Sequence, residues 1–262
     1  MLLYNNDCLE QLKQLKSECL DLTITSPPYD NLRTYNLEKL SVDYKELAKE
    51  LYRTTKKGGV VAWVVQDQTI NGSKTLSSFR QAIIFQDAGF NVHDVMIWKK
   101  DTSSFPRKNA YANVFEYIFI FSKGRPKTFN PIKDRKNKYA GTKIHGTYRD
   151  KDGTSIKRND KWCDKGVSEY GARFNVWDIP TEKVNKTGHP AVFPLKLVSD
   201  LIMSWSNEGD LILDPFMGSG TTGIACQQLN RKFIGIELNK EYFENTKRRI
   251  SNGRTRNAFT KK

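Results

Sequence analysis

The run Val60-Val61-Ala62-Trp63-Val64-Val65 is apolar at every position. A strand of this kind has two faces that must both leave water, the condition of a central strand in a parallel sheet covered by helices on each side. The surrounding pattern agrees. Leu2 to Tyr4 reads as a short strand, Leu9, Leu12 and Leu15 place three leucines on one face of a following helix, and Leu20 to Thr25 condenses into a second strand. Ser41 reads as the cap of a helix through Val42, Leu47, Ala48 and Leu51 that stops at Gly58-Gly59, and another helix runs from Leu76 to Ala88 with Gly89 as its stop. Val92 to Trp98 and Val114 to Phe121 are strand-like and predict an antiparallel pair at a sheet edge. From Lys123 to Lys186 apolar residues thin out in favour of Gly, Asn, Asp and Lys, which predicts a loop-rich insertion. Beyond it, helical patterns near residues 195–206, 221–229 and 240–250 alternate with short apolar runs at Leu211-Ile212-Leu213 and Phe233-Ile234-Gly235-Ile236. The expected fold class is α/β, a Rossmann-like, mostly parallel sheet with helices on both faces and a loop-rich inserted region.

Two of these strands feed loops of unusual composition. Leu20 to Thr25 runs into Ser26-Pro27-Pro28-Tyr29, where successive prolines stiffen the backbone and drive each preceding residue out of helical geometry. Leu211 to Leu213 runs into Asp214-Pro215-Phe216-Met217-Gly218-Ser219-Gly220-Thr221-Thr222-Gly223, which satisfies G-x-G-x-x-G at the start of a helix and lets backbone amides approach a ligand closely. Glu237, ending the next strand, stands where an acid accepts ribose hydroxyls. This half fits a nicotinamide dinucleotide as well as S-adenosylmethionine. Singly, Asp214 is equally a helix-capping carboxylate, the glycines a tight turn, and the prolines a surface turn with a packing tyrosine. Only about one helix follows Glu237, so the remaining strands must come from the N-terminal part, unlike the usual dinucleotide layout.

Together the proline loop and the glycine loop resemble those of the S-adenosylmethionine-dependent DNA amino-methyltransferases, and their order, reactive loop first, resembles the circularly permuted beta group of that family. The resemblance implies three segments: residues 1–101 as the catalytic half, 102–187 as an edge strand with the target-recognition region, and 188–262 as the cofactor-binding half. It assigns Asp7 and Cys8, after the N-terminal strand, to the adenine pocket of the cofactor; Asp214, Phe216, Gly218, Gly220 and Thr221 to its methionine part; and His189 and Pro194 to a further cofactor element. Ser26, Pro27, Pro28 and Tyr29 become the catalytic loop. The Ser26 hydroxyl and Pro27 carbonyl would accept the N–H groups of an exocyclic amine, and Tyr29 would stack on a base turned out of the duplex. In the family, serine before the prolines accompanies the N4 amine of cytosine, and an acidic or amide residue the N6 amine of adenine. Ser26 points to cytosine, with adenine N6 as the alternative.

The net charge of +14 and pI near 9.5 imply a polyanionic partner. Between Arg107 and Lys186 cations alternate with Phe129, Tyr139, Tyr148, Trp162, Tyr170 and Trp177, a pattern suited to phosphates and bases. Arg107, Lys108, Lys133, Arg135, Lys136, Arg149 and Arg158 are the candidate contacts to double-stranded DNA. No C-x-x-C pair joins Cys8, Cys19, Cys163 and Cys226, and three histidines lie far apart, so a metal site is not expected. The absence of a Pro-Cys pair disfavours cytosine C5 chemistry, whose nucleophilic cysteine follows a proline. No membrane-length apolar run and no signal-peptide pattern occur, which predicts a cytoplasmic protein with no membrane partner. A restriction-modification role brings a cognate endonuclease in the same system, without a stable complex, and a homodimer among the expectations. The competing classes are a dinucleotide-dependent oxidoreductase and a non-catalytic nucleic-acid-binding protein.

Overall fold

The computed structural model describes residues 1–28, 42–103, 108–143, 146–157, 166–182 and 193–259, with side chains to Ser251. It has two compact units, one formed by Met1–Asn130 with Asn175–Lys262 and the other by Pro131–Phe174. The first contains strands β1 (Leu2–Asn5), β2 (Leu20–Thr25), β3 (Thr55–Val65), β4 (Asn91–Lys99), β5 (Phe115–Ser122), β6 (Val176–Asp178), β7 (Leu211–Asp214) and β8 (Lys232–Glu237). Its helices are α1 (Cys8–Gln14), α2 (Tyr44–Thr54), α3 (Ser77–Asp87), α4 (Leu195–Trp205), α5 (Thr221–Gln228) and α6 (Lys240–Phe259). The strands form one mixed sheet in the spatial order β1-β8-β7-β2-β3-β5-β4-β6.

From β1 to β3 every pairing is parallel, and β1 lies in register with β8 from Leu2↔Ile234 to Asn5↔Glu237. The N-terminal strand thus sits next to the strand that ends in Glu237. Val60 to Val65 are buried throughout, as a strand apolar on both faces requires. On one face Trp63, Phe85 and Phe121 form the aromatic centre of the core, with ring centroids 4.8 Å apart for Trp63–Phe85 and 4.5 Å for Phe85–Phe121. Burying each such side chain contributes about 1.5–3 kcal/mol. The indole N–H of Trp63 donates to Gln81 Oε1 at 2.8 Å, so its polar edge is satisfied inside the core.

Two expectations are corrected. Helix α2 does not reach Gly58-Gly59: it stops at Thr54, where the hydroxyls of Thr54 and Thr55 donate back to the carbonyls of Glu50 and Leu51 at 2.8 and 2.6 Å. Asp43 caps its start, accepting from the amides of Lys45 and Glu46, whereas Ser41 lies outside the described residues. The two glycines lie inside β3, where the register against β2 shifts, and a Cβ on Gly58 (φ +83°) would stand 2.4 Å from Lys127 Cγ. Nor is the β4/β5 pair the sheet edge. β5 lies between β3 and β4, antiparallel to both, and β6 adds beyond β4 in parallel. A three-residue strand within a loop-rich stretch shows no readable period; what fastens it is tertiary, the burial of Trp177 and a 2.8 Å bond from Trp98 Nε1 to the Ile179 carbonyl.

The second unit holds two antiparallel ribbons, Thr147–Arg149 with Ser155–Lys157 and Arg135–Lys136 with Tyr170–Gly171. Among the described residues no helix is long and apolar enough to cross a membrane.

Candidate functional site

Parallel neighbours end on the same side of a sheet, and β1, β8, β7 and β2 are such neighbours. The segments that follow them therefore open together at the carboxyl edge, where α/β sheets bind ligands. The Thr25 hydroxyl, one residue before Ser26, donates to Asp214 Oδ1 at 2.7 Å. The same carboxylate accepts the Phe216 amide at 3.1 Å and, on Oδ2, the Thr222 hydroxyl at 2.6 Å. Asp214 is thus a buried tether that fastens the proline loop to the glycine loop. Pro27 is buried, Ser26 half-buried, and the Pro28 carbonyl accepts from the Tyr44 phenol at 3.2 Å. Tyr29 lies outside the described residues.

The glycine loop is shaped from behind by α6. The Thr246 hydroxyl donates to the Gly218 carbonyl, and Arg249 Nη1 to the Ser219 carbonyl at 2.6 Å and to the Thr221 hydroxyl at 3.2 Å. Gly218 and Gly220 take φ of +47° and +76°, a region that L side chains rarely adopt. A Cβ on Gly220 would stand 2.4 Å from Thr246 Cγ2, and one on Gly223 2.7 Å from Ile250 Cδ1 and 2.9 Å from Phe233 Cε1. Gly220→Ala is expected to cost about 2 kcal/mol through backbone strain and overpacking. Urea denaturation checks this, and an unchanged midpoint would contradict the geometry.

At the end of β8 the Glu237 carboxylate accepts the Gly218 amide at 3.0 Å and the Asn239 amide at 2.8 Å. Burial raises its pKa against these bonds, and Asp214 adds a like charge. Asn5, its neighbour on β1, donates to the Glu237 carbonyl at 2.8 Å. Asp7 caps α1, accepting from Leu9 and Glu10 amides at 2.8 and 3.1 Å, and Cys8 begins that helix, its thiol pushed up to about 12 by burial and then by Asp7. Pro194 caps α4, and His189 lies outside the described residues.

Of the candidate DNA contacts, Lys133, Lys136 and Arg149 are exposed in the second unit, and Lys108 is exposed in the first. Arg135 is engaged within its unit, with Nε donating to the Ala172 carbonyl at 3.0 Å and the guanidinium 4.3 Å from the Phe174 ring centroid. Arg107 and Arg158 lie outside the described residues. Thr25, Thr222, Thr246 and Arg249 escaped the sequence reading. The first two are unremarkable beside a motif, and the last two signal themselves only by sharing a helix face at i, i+3.

The donor set separates the two cofactors that the glycine motif alone leaves open. Asp214 and Glu237 are desolvated carboxylates on adjacent strands, and among the described residues neither has a cationic partner. A dinucleotide would bring a pyrophosphate to a loop whose Gly218 amide already donates to Glu237. S-adenosylmethionine instead carries a sulfonium and an ammonium, which complement uncompensated negative charge, and a ribose whose hydroxyls suit the remaining lone pairs of Glu237.

Comparison with known proteins agrees with this fit. The family model of the N6/N4 type described as DNA methylase matches residues 20–248. The orphan methyltransferase M.BamHII of Bacillus amyloliquefaciens is 51% identical over 250 residues, covering 92% of each chain. The crystal structure of an M1.HpyAVI–SAM complex superposes with a TM-score of 0.60 at 26% identity, covering 95% of this chain and 98% of that one. The PvuII DNA methyltransferase, cytosine-N4-specific, shares the fold with a TM-score of 0.68 at 20% identity over 97% and 91% of the two chains. A carboxyl-edge site charged to suit a sulfonium, on a chain matched along almost its whole length, makes this protein a member of the N6/N4 DNA methylase family, the S-adenosylmethionine-dependent methyltransferases of DNA.

Proposed function

We propose that this chain methylates the exocyclic N4 amine of cytosine in double-stranded DNA, as a sequence-specific enzyme of a restriction-modification system or a solitary relative of one. The observation that carries the reading is the Thr25–Asp214 bond of 2.7 Å, which fastens the Ser26-Pro27-Pro28 loop beside the glycine loop. S-adenosylmethionine supplies an electrophilic methyl group on a sulfonium when bound. Ser26 Oγ and the Pro27 carbonyl accept the two amine N–H groups, which localises the nitrogen lone pair that ring conjugation otherwise withdraws. The rigid loop fixes the amine in line for displacement, the larger part of the catalytic task. The methylated ammonium loses its proton readily, so no dedicated strong base is needed. Tyr29 stacks on the extruded base.

The β1–β8 pairing supports the permuted, beta-group order, since the strand after the ribose-binding acid comes from the opposite end of the chain. Glu237 accepts the ribose hydroxyls, with Asp7 and Cys8 beside the adenine and Phe216, Gly218, Gly220, Thr221, His189 and Pro194 along the rest of the cofactor. Lys108, Lys133, Lys136 and Arg149 contact phosphates, a sequence-independent and salt-sensitive share of the affinity.

The test incubates the protein with isotopically labelled S-adenosylmethionine and unmethylated genomic DNA, then digests to nucleosides for mass spectrometry. Labelled N4-methylcytosine is expected. N6-methyladenine in its place transfers the same chemistry to adenine, and label confined to RNA or absent overturns the reading. Glu237→Ala is expected to weaken S-adenosylmethionine binding about tenfold by removing the ribose acceptor, with DNA affinity unchanged. Calorimetry finding an unaltered cofactor affinity would remove Glu237 from the site.

A further inference from the structure

Helix α6 buries Tyr242, Thr246 and Ile250, and at the margin of that face stands Arg249, half-buried. Its neighbours Lys247 and Arg248 are exposed, as cations on a basic chain ordinarily are. Arg249 is turned inward instead. Its Nη1 donates to the Ser219 carbonyl at 2.6 Å and to the Thr221 hydroxyl at 3.2 Å. Burial lowers the pKa of the guanidinium, with the charge of Glu182 acting in the opposite sense. A cation drawn partly out of water gives up hydration, which charge-assisted bonds to one short loop offset.

Three successive carbonyls of the glycine loop are held: that of Met217 by the Gly220 amide at 2.7 Å, that of Gly218 by the Thr246 hydroxyl, and that of Ser219 by Arg249. In a trans peptide the N–H points opposite to the C=O, so drawing the Gly218 carbonyl toward α6 turns the Ser219 amide away from that helix. Thr221 is set by a related rule. Arginine can only donate, so its bond makes the Thr221 oxygen an acceptor and leaves the hydroxyl proton as a donor, with Ser219 Oγ at 3.4 Å. A loop whose carbonyls are tied back, and whose amide and hydroxyl protons are left over, suits an anion. The anionic group of S-adenosylmethionine is the carboxylate of its methionine part. We propose that Arg249 is a positioning residue for that part: by holding the Ser219 carbonyl and fixing the Thr221 oxygen as an acceptor, it leaves the Ser219 amide and the Thr221 hydroxyl proton to the cofactor carboxylate. The inference rests on the assignment of the glycine loop to the methionine part of the cofactor.

Calorimetry on the full chain with two probes tests this. S-adenosylhomocysteine and 5′-methylthioadenosine are both adenosine thioethers, and only the first carries the amino-acid end. Arg249→Met, which keeps an apolar stem and removes the donors, is expected to raise the Kd for S-adenosylhomocysteine about tenfold and to leave that for 5′-methylthioadenosine within about threefold of wild type. Arg249→Lys, which keeps the charge but reaches fewer acceptors, is expected to lose about threefold on S-adenosylhomocysteine alone, and it carries the same comparison if the methionine variant does not fold. Equal losses on both probes would make Arg249 a support of the fold, and a loss on DNA in place of S-adenosylhomocysteine would make it a phosphate contact; either result, or no change at all, overturns the proposal. A wild-type chain that binds the two probes equally tightly would instead overturn the underlying assignment of the glycine loop.

Discussion

Ser26→Ala is expected to lower turnover about a hundredfold or more, the scale for removing one preorganised polar contact to the reacting group. The hydroxyl is placed by its neighbours: Thr25 is held by Asp214, Pro27 is buried, and Tyr44 holds the Pro28 carbonyl. These anchors belong to Thr25, Pro27 and Pro28, so the variant is expected to keep the loop in place and to bind S-adenosylmethionine and DNA close to wild type, which calorimetry checks alongside the rate. Single-turnover methyl transfer isolates the chemical step from product release. A rate within threefold of wild type, about 0.6 kcal/mol, would strip Ser26 of its role.

Asp214→Asn is expected to change how stability depends on pH. Burial pushes the Asp214 carboxyl from 3.8 up to about 6, against the pull of the Thr222 and Thr25 hydroxyls and the Phe216 amide. A carboxyl whose folded value exceeds its unfolded one binds more protons in the folded state between the two. Stability from this group therefore falls as pH rises from about 4 to about 6 and is level above that, a step of about 3 kcal/mol. Asparagine keeps an acceptor for Thr25 and Phe216, can donate to Thr222, and does not ionise. Urea denaturation across this range should show the decline in wild type and not in the variant. Parallel pH profiles would mean that the carboxylate is not desolvated as described.

These two tests separate the halves of the site. The place of the Ser26-Pro27-Pro28 loop at the end of β2 was legible because two prolines after a strand leave few conformations. The Asp214 motif was legible too, but not what the side chain does: nothing in Asp214-Pro215-Phe216 announces that Thr25, 189 positions earlier, donates to its carboxylate. The same holds for Thr246 and Arg249, which shape the glycine loop from a helix that reads merely as amphipathic. Gly58-Gly59 misled for a related reason. Glycine pairs commonly end helices, yet here two β-branched threonines had already stopped α2, and the glycines serve a close approach in β3.

Local chemistry in the chain determined the α/β class, the strands apolar on both faces and the two motif loops, because each depends on residues adjacent in sequence. Tertiary structure alone decided that β1 joins β8, that β6 rather than β4 or β5 forms the edge, and that Asp214 bridges the loops. Those outcomes depend on contacts between distant segments, whose free energy appears only when water leaves both partners at once.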